Sequence, residues 1–261
     1  MLEIKDLSIR YGKESNIIEN FSLTVNKGEI VTIAGESGSG KTTVIRAVMG
    51  ALPSGGKVTG GSIIFDGENL LDYTVSQWRK LRGTNISMIF QDCGAALNPI
   101  QKIGTQYVRY IRLHSSMSKE EAWKLACEKL KSVNLYDVES IMESFPHQLS
   151  GGMRQRVGIA MAVTFDTKLL LADEPTSALD VTTQAQIVKQ LMELRDEKQT
   201  SIIIVTHNIG VAAYMSDKIV VMQKGKAVDF GTRDEVINNP TSDYTKKLLS
   251  SVPEMEGKRF V

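Results

Sequence analysis

Residues 35–42 read GESGSGKT and are followed by Thr43. The stretch comes directly after the apolar run 30–34 and directly before a run of helix formers that begins at Lys41. Glycines let backbone N–H groups turn inward around an anion, and the start of a helix adds the positive end of its dipole. The spacing therefore predicts a loop that binds phosphate; a glycine-rich turn without a ligand is the alternative. Its members are Gly35, Glu36, Ser37, Gly38, Ser39, Gly40, Lys41, Thr42 and Thr43.

Four side chains supply what phosphate chemistry would need. Lys41 can reach the outer phosphates of a nucleotide, and Thr42 offers a hydroxyl to Mg²⁺. Asp173 and Glu174 follow the apolar run 169–172, and open α/β sheets bind ligands at the carboxyl ends of their strands. We therefore predict that Asp173 enters the Mg²⁺ shell while Glu174 polarises an attacking water. A kinase, the alternative, would instead transfer the phosphoryl group to a substrate hydroxyl. The Asp-Glu pair is weak evidence for nucleotide hydrolysis by itself and becomes strong evidence only together with the phosphate loop.

A second candidate anion site lies in the stretch LSGGM at 149–153. Ser150 stands at an N-cap position, and Gly151 and Gly152 open an apolar helix, so backbone N–H groups face outward there. One nucleotide does not need two such sites from one chain.

The elements that position these residues can be predicted from hydrophobic periodicity. Alternation over 2–11 and 21–25 predicts antiparallel strands, the run 29–34 a central strand, and 41–52 a helix. Residues 62–71 are predicted to hold another short strand and a turn at Asp66-Gly67. Further strands are predicted at 86–90, 169–172 and 202–205, a helix at 181–198, and a hairpin at 219–222 and 227–230. Alternating strands and helices favour a mainly parallel sheet covered by helices.

From about 94 to 165 the strand signal almost disappears and amphipathic stretches dominate. The clearest helix opens with a capping-box pattern at 118–121. We therefore predict an α/β fold with a P-loop NTPase (RecA-like) core, an antiparallel β subdomain and an inserted helical subdomain at about 94–165. Residues 1–250 would form a single domain, and residues 251–261 a short C-terminal tail.

Composition limits the classes of partner. The chain has 31 basic and 30 acidic residues, so net charge gives no argument for nucleic acid. Cys93 and Cys127 lack the spacing of a zinc or redox motif and are expected to be buried thiols in a reducing compartment. The charged start of the chain and the absence of an apolar run of roughly 20 residues favour a cytoplasmic protein that reaches a membrane only through partners.

The order of these motifs resembles that of the ATP-binding cassette ATPases, whose signature motif is similar to 149–153. The resemblance covers residues 1 to about 250. It implies ATP and Mg²⁺ as cofactors and a head-to-tail dimer, in which the signature of one subunit closes over ATP held by the phosphate loop of the other.

The same resemblance assigns roles residue by residue. Tyr11 would stack on adenine, although an edge-strand tyrosine is the alternative. Gln91 would sense Mg²⁺ and the attacking water, while its loop contacts the membrane partner. Asp180 would lie in the loop through which subunits communicate, or would simply cap the next helix. His207 would contact the γ-phosphate, although a structural histidine is the alternative. The implied catalytic set is Lys41, Gln91, Glu174 and His207; the implied Mg²⁺ set is Thr42, Gln91 and Asp173; Tyr11, Ser150, Gly151, Gly152 and Asp180 join the phosphate loop as nucleotide-binding residues.

Three stretches, at 96–99, 151–162 and 239–249, resemble the peptide and nickel importer ATPases. The chain ends soon after Pro253, without the cysteine-bearing extension of many peptide importers, and residues 159–163 and 207–211 favour the nickel or metal-chelate branch. The implied partners are membrane permease subunits, a second, paralogous ATPase subunit and a substrate-binding protein, with the chain peripheral on the cytoplasmic face of the membrane.

Two other functions remain as alternatives. A soluble cassette ATPase acting on nucleic acid or ribosomes usually carries tandem cassettes or long coiled-coil insertions, and neither is present here. A regulatory subunit that binds ATP without hydrolysing it is disfavoured because every catalytic position is intact.

Overall fold

The structure is a computed structural model that describes residues 1–12, 15–177 and 179–250, together with the backbone of 254–255 and 258–259. The chain divides into two compact units, Met1–Arg79 with Leu194–Val261 and Lys80–Glu193. The predicted single domain and its inserted helical subdomain therefore stay predictions. The predicted C-terminal tail lies almost wholly outside the described residues.

The strands are β1 (Leu2–Tyr11), β2 (Asn16–Val25), β3 (Ile30–Ala34), β4 (Gly56–Phe65), β5 (Glu68–Asn69), β6 (Ile86–Ile89), β7 (Leu169–Asp173), β8 (Ser201–Thr206), β9 (Lys218–Gln223), β10 (Lys226–Thr232), β11 (Glu254–Met255) and β12 (Lys258–Arg259). The α-helices are α1 (Lys41–Val48), α2 (Val75–Leu81), α3 (Cys93–Ala96), α4 (Ile103–His114), α5 (Lys119–Ser132), α6 (Val138–Glu143), α7 (Gly151–Ala162), α8 (Val181–Lys198), α9 (Ile209–Met215), α10 (Arg233–Asn238) and α11 (Asp243–Ser250).

The first unit contains an antiparallel sheet in the order β2-β1-β4-β5. The predicted antiparallel pairing of the first two strands is confirmed. The third strand of this sheet, β4, begins at Gly56 rather than at residue 62 as predicted. Its glycine-rich start has no apolar alternation, and the strand forms there because Tyr11 of β1 pairs with Gly56.

The same unit holds a parallel arrangement centred on β3. Strands β8 and β9 both pair with β3 in parallel, and Ala34 lies opposite Thr206 on one side and Val221 on the other. Every residue of β3 and β8 is buried, as continuous apolar runs predict for parallel strands. Strands β9 and β10 form the predicted antiparallel hairpin.

Helix α1 ends at Val48, four residues before the predicted end at 52. Gly50 has a φ of +61° and donates its N–H to the Ala47 carbonyl, which closes the helix in the usual way for a glycine after the last turn. The sequence signal for the end of the helix was therefore this glycine rather than Pro53.

The second unit contains β6 and β7, which are paired in parallel, with Ile89 opposite Ala172. Between these strands the described regular elements are helices, α3 to α7 and a short 3₁₀ turn. The predicted capping box of α5 is present, with both Ser118 and Glu121 bonded to the opposite backbone N–H. Cys93 and Cys127 are buried free thiols as expected, and burial raises the pKa of Cys93 to about 11.

Among the described residues, none of the helices has the length and apolarity needed to span a membrane.

A pair of turn glycines tests how tightly the hairpin after β9 is packed. Gly225 and Gly67 both have positive φ, at +81° and +91°. A Cβ on Gly225 would lie 1.9 Å from the Ile17 carbonyl oxygen, whereas a Cβ on Gly67 would meet nothing within 4 Å. We expect Gly67→Ala to lower the free energy of unfolding by about 1 kcal/mol and Gly225→Ala by about 2 kcal/mol more, because only the second adds a clash. Urea unfolding measures both, and equal losses would contradict this packing.

Candidate functional site

The predicted phosphate loop joins β3 to α1 in the first unit. Gly35, Gly38 and Gly40 have φ values of +146°, +82° and +100°, which non-glycine residues rarely adopt. A Cβ on Gly35 would lie 2.2 Å from the Met222 carbonyl oxygen, and one on Gly40 would lie 2.3 Å from Cδ1 of Ile18. Close packing against backbone therefore requires a glycine at position 35, whereas at Gly40 the contact is with the end of a flexible side chain and the backbone conformation is the stronger constraint.

Lys41 directs its ammonium group into this loop. The residue is only 4% exposed, and its Nζ donates to the carbonyl oxygens of Gly35 at 2.8 Å and Glu36 at 2.7 Å. Both of these partners are backbone carbonyl oxygens of the loop itself. The ammonium group therefore lies within the loop that would surround the phosphates, where it could reach them.

Two further observations fit the loop to phosphate. The hydroxyl of Ser39 is buried and has no hydrogen-bond partner among the described residues. Helix α1 begins after Gly40, and no side chain caps its first turn. A phosphate group at this helix start would accept hydrogen bonds from the backbone and would be favoured by the helix dipole.

The loop is also held from outside by residues that the motif does not contain. The hydroxyl of Tyr244, in α11, accepts a hydrogen bond from the Glu36 backbone N–H at 2.8 Å. The Gly225 N–H donates to the Ser39 carbonyl at 3.1 Å. Tyr244 lies in the stretch 239–249, whose sequence indicates only the family resemblance. Its contact with Glu36 joins residues 208 positions apart and therefore leaves no local signal in the sequence.

Asp229 fixes the turn from which Tyr244 projects. Its carboxylate accepts hydrogen bonds from the N–H and hydroxyl of Thr241 and from the Ser242 N–H at 3.0 Å. Burial opposes ionisation of this carboxyl, but the hydrogen bonds from Thr241 and its neighbours outweigh burial, so the pKa of Asp229 is lowered. The ionised carboxylate therefore anchors the start of α11.

The two other predicted nucleotide residues of this unit lie at strand ends. His207 follows Thr206, and Gly35 follows Ala34; because Ala34 and Thr206 are paired in parallel, the histidine and the phosphate loop leave the sheet at the same edge. Tyr11 ends β1, where its ring packs against Gly56. The roles of His207 and Tyr11 toward a nucleotide stay predictions.

In the second unit, the ends of β6 and β7 bring Gln91 and Glu174 together. The Gln91 amide donates to the Glu174 carboxylate at 3.3 Å, and Asp173, the last residue of β7, is 3% exposed. Glu174 has a φ of +44°, so the chain turns sharply after the strand. The Glu174 carbonyl oxygen accepts two hydrogen bonds from Ser177, one from its N–H at 3.1 Å and one from its hydroxyl at 2.9 Å. These bonds stabilise the turn.

The second predicted anion site lies at the start of α7. Ser150 is the N-cap, and its hydroxyl accepts from the Met153 N–H at 3.2 Å. A Cβ on Gly151 would meet nothing within 4 Å, so this end of the helix is open to a ligand. An adjoining cavity of about 370 Å³ brings Gly151 and Gln91 to one surface; it is lined by Gln91, Asp92, Gly94, Gly151, Arg154, Gln155, Ser177 and Leu179.

Asp180 accepts two hydrogen bonds from Thr183 at the start of α8, from the N–H at 3.0 Å and the hydroxyl at 2.7 Å. Both bonds lower the pKa of the Asp180 carboxyl, and the bond from the Thr183 hydroxyl has the larger effect. The structure therefore shows the capping contacts that were the alternative interpretation. A role in communication between subunits stays a prediction, and the neighbouring Ala178 lies outside the described residues.

A glycine loop with a buried lysine between a parallel strand and a helix, together with carboxylates at the end of another parallel strand, defines an α/β P-loop nucleotide hydrolase. The family model described as ABC transporter matches residues 18–177, and the chain belongs to that family. The fold class and the resemblance inferred from the motifs are both confirmed, and the chain is an ATP-binding, ATP-hydrolysing protein.

Individual relatives cover nearly the whole chain. It is 42% identical to the dipeptide transport ATP-binding protein DppD of Lactococcus lactis subsp. cremoris, over 98% of this chain and 74% of the relative. It is 44% identical to the oligopeptide transport ATP-binding protein OppD of Bacillus subtilis, over 98% of this chain and 73% of the relative.

Solved structures give the same family. The chain is similar to the dimeric structure of a post-hydrolysis state of the ATP-binding cassette MJ0796 bound to ADP and Pi, with a TM-score of 0.79, 31% identity and coverage of 89% of this chain and 99% of that one. It is also similar to CbiO1 from Clostridium perfringens, part of the ABC transporter complex CbiONQ, with a TM-score of 0.77, 29% identity and coverage of 91% and 90%.

The contact between Tyr244 and the phosphate loop predicts an effect on ATP affinity. Tyr244→Phe keeps the ring, which packs on the apolar cluster containing Ala34 and Leu249, but removes the acceptor of the Glu36 N–H. We expect the Kd for ATP to rise about two- to tenfold, the value of one hydrogen bond. Titration of the full chain with a fluorescent ATP analogue measures this, with Tyr214→Phe as the control because Tyr214 in α9 is 66% exposed. Equal Kd values for the two variants would show that Tyr244 does not support the loop.

Proposed function

We propose that this chain is the ATP-hydrolysing subunit of a complex that imports peptides. The observation that carries the cargo class is the set of relatives at 42% and 44% identity over 98% of the chain, which are named for dipeptide and oligopeptide transport. The structure supports the energy-supplying half of this proposal through the phosphate loop and the strand-end carboxylates.

The phosphate loop and two strand-end residues would bind ATP. Backbone N–H groups of 35–43 would surround the phosphates, and the buried Lys41 ammonium, now held by two carbonyls, would turn to the outer phosphates. His207, at the same sheet edge, would contact the γ-phosphate, and Tyr11 would stack on adenine. The exposed position of His207 leaves its ring accessible to such a ligand.

Hydrolysis would depend on the end of β7. Glu174 would accept a proton from the attacking water, while Gln91, which already donates to that carboxylate, would orient the same water. Thr42 and Asp173 would hold Mg²⁺ through oxygen atoms, the donor type that this ion prefers, with Gln91 as the third ligand. When bound, Mg²⁺ supplies positive charge to the phosphates that react.

A second ATPase subunit would complete each nucleotide site. Ser150, Gly151 and Gly152 present an open helix start, and a nucleotide held by the phosphate loop of a partner would fit there. We propose a head-to-tail dimer with a paralogous ATPase chain, and Asp180 close to the contact between subunits. The dimeric state of the similar cassette MJ0796 supports this arrangement.

Membrane permease subunits would receive the motion of this dimer. ATP binds more tightly to the closed dimer than to the open one, and this difference in affinity shifts the population toward closure. The helical subdomain and the segment after Gln91 would pass the change to the permease. The chain would then lie on the cytoplasmic face of the membrane. A substrate-binding protein would deliver the peptide from the other side.

Nickel or metal-chelate uptake is the second candidate cargo. It rests on the stretches 159–163 and 207–211, which resemble that branch. The names of the relatives favour peptides, so the nickel branch stays a prediction from those two stretches.

The proposal predicts that Glu174→Gln separates binding from turnover. The substitution removes the carboxylate but keeps the size of the side chain, so we expect the Kd for ATP to change less than about threefold and ATP hydrolysis to fall at least about 100-fold. Both are measured on the complex purified through a tag on this chain, with Glu197→Gln, at an exposed position of α8, as the control. Near-normal hydrolysis by Glu174→Gln would remove Glu174 from the chemistry.

Uptake measured with the same variants tests the cargo. Cells that lack this chain would be supplied with a labelled dipeptide, a labelled longer peptide, or radioactive nickel, free and chelated. Loss of peptide uptake alone, restored by the wild-type chain but not by Glu174→Gln, is the expected result. Loss of nickel uptake alone would assign the chain to the metal branch, and unchanged uptake of every cargo would contradict the importer function for these substrates.

A further inference from the structure

The signature helix α7 contains a buried glutamine whose side chain reaches both catalytic strand ends. Gln155 is 6% exposed. Its Nε2 donates to the Pro175 carbonyl at 3.0 Å, and its Oε1 accepts from the Cys93 N–H at 3.5 Å. One side-chain amide therefore joins the backbone of two different segments.

Both of these segments carry residues of the proposed chemistry. Pro175 directly follows Glu174, and Cys93 lies two positions after Gln91. The side chains of Glu174 and Gln91 are themselves hydrogen-bonded at 3.3 Å. Gln155 thus holds the backbone just after each of the two residues that would orient the attacking water, at Pro175 after Glu174 and at Cys93 after Gln91.

The Glu174 turn needs such support because its backbone conformation is unfavourable. A φ of +44° is unfavourable for a residue with a Cβ and persists only where neighbours hold it. Ser177 holds the turn locally through the Glu174 carbonyl. Gln155 holds the next carbonyl from a different element, so it fixes the turn relative to α7.

The packing of α3 on α7 restrains the bond between Gln155 and the Cys93 N–H. A Cβ on Gly158 would lie 2.4 Å from Sγ of Cys93, and a Cβ on Gly94 would lie 2.7 Å from Nε of Arg154. The two helices approach each other closely because both positions are glycines. A displacement of α7 would therefore be transmitted to the segment that carries Gln91.

We infer that Gln155 is a positioning residue: it links the signature helix to the Glu174 turn and to the Gln91 segment, and so sets the carboxylate and the amide against each other. This assignment rests on the proposed roles of Glu174 and Gln91. Ser150 and Gly151, which would contact the partner's nucleotide, lie at the start of the same helix. A shift of α7 caused by that contact would be transmitted to the Glu174 turn through Gln155.

The test compares three variants in the complex purified through a tag on this chain. Gln155→Met has a similar size but makes neither hydrogen bond. Gln155→Glu keeps the shape and donates to the Pro175 carbonyl only when its carboxyl is protonated. Val157→Ala removes buried volume from the same helix without touching these bonds, and it is the control for a purely structural defect. The measurements are kcat and KM for ATP hydrolysis, the number of nucleotides bound per chain, and the melting temperature.

We expect Gln155→Met to lower kcat about tenfold or more, the value of a buried unsatisfied carbonyl, while KM and bound nucleotide change less than about twofold. Gln155→Glu should lose activity relative to wild type as pH rises, because its deprotonated carboxylate cannot donate. Val157→Ala should lower the melting temperature and leave kcat per bound nucleotide unchanged.

Normal kcat in Gln155→Met would overturn the assignment, and so would a loss of kcat that matches a loss of bound nucleotide. If Gln155→Met does not fold, the pH dependence of Gln155→Glu decides, and a profile parallel to that of wild type would overturn it. Absence of ATP hydrolysis by the wild-type complex, or full hydrolysis by Glu174→Gln, would instead remove the proposed chemistry on which the assignment rests.

Discussion

Parallel strand pairing is the constraint on which the functional residues depend. Pairing of Ala34 with Thr206 means that the phosphate loop and His207 leave the sheet of the first unit at one edge. Pairing of Ile89 with Ala172 does the same for Gln91 and Glu174 in the second unit. Because parallel strands end side by side, residues distant in sequence are brought to the same edge of the sheet.

Those strand ends are also where the backbone adopts unfavourable conformations. Gly35, Gly38 and Gly40 avoid the cost because they have no Cβ, whereas Glu174 carries the side chain that its proposed role requires and therefore bears the cost. The surrounding structure compensates in each case: Tyr244 and Gly225 hold the phosphate loop, and Ser177 and Gln155 hold the Glu174 turn. In both places at least one supporting contact comes from a distant part of the same unit, Tyr244 for the loop and Gln155 for the turn.

Local patterns were sufficient for the motifs and for most strands. The spacing of glycines before Lys41, the apolar runs before Asp173 and His207, and the capping box at Ser118 are all signals within a few residues, and the structure places the corresponding elements as expected. The start of β4 was missed because its strand character comes from pairing with β1, and the end of α1 because Gly50 stops the helix before Pro53.

The contacts that support the candidate site could not be predicted in the same way. Gln155 lies within the family-like stretch 151–162, but its partners are 62 and 20 positions away, and Tyr244 is 208 positions from Glu36. Side-chain to backbone bonds of this kind impose no residue type on the acceptor or donor segment. They become visible only when the fold has placed the segments together.

Amide hydrogen exchange of the full chain, with and without ATP and Mg²⁺, tests the central claim that backbone N–H groups of the phosphate loop bind the nucleotide. The account predicts that exchange at residues 38–43 slows at least about tenfold on addition of nucleotide, because phosphate oxygens would accept those N–H groups. The start of α5, which Ser118 and Glu121 already cap, should not change and is the internal control. Unchanged exchange at 38–43, under conditions in which bound nucleotide is demonstrated, would contradict the account.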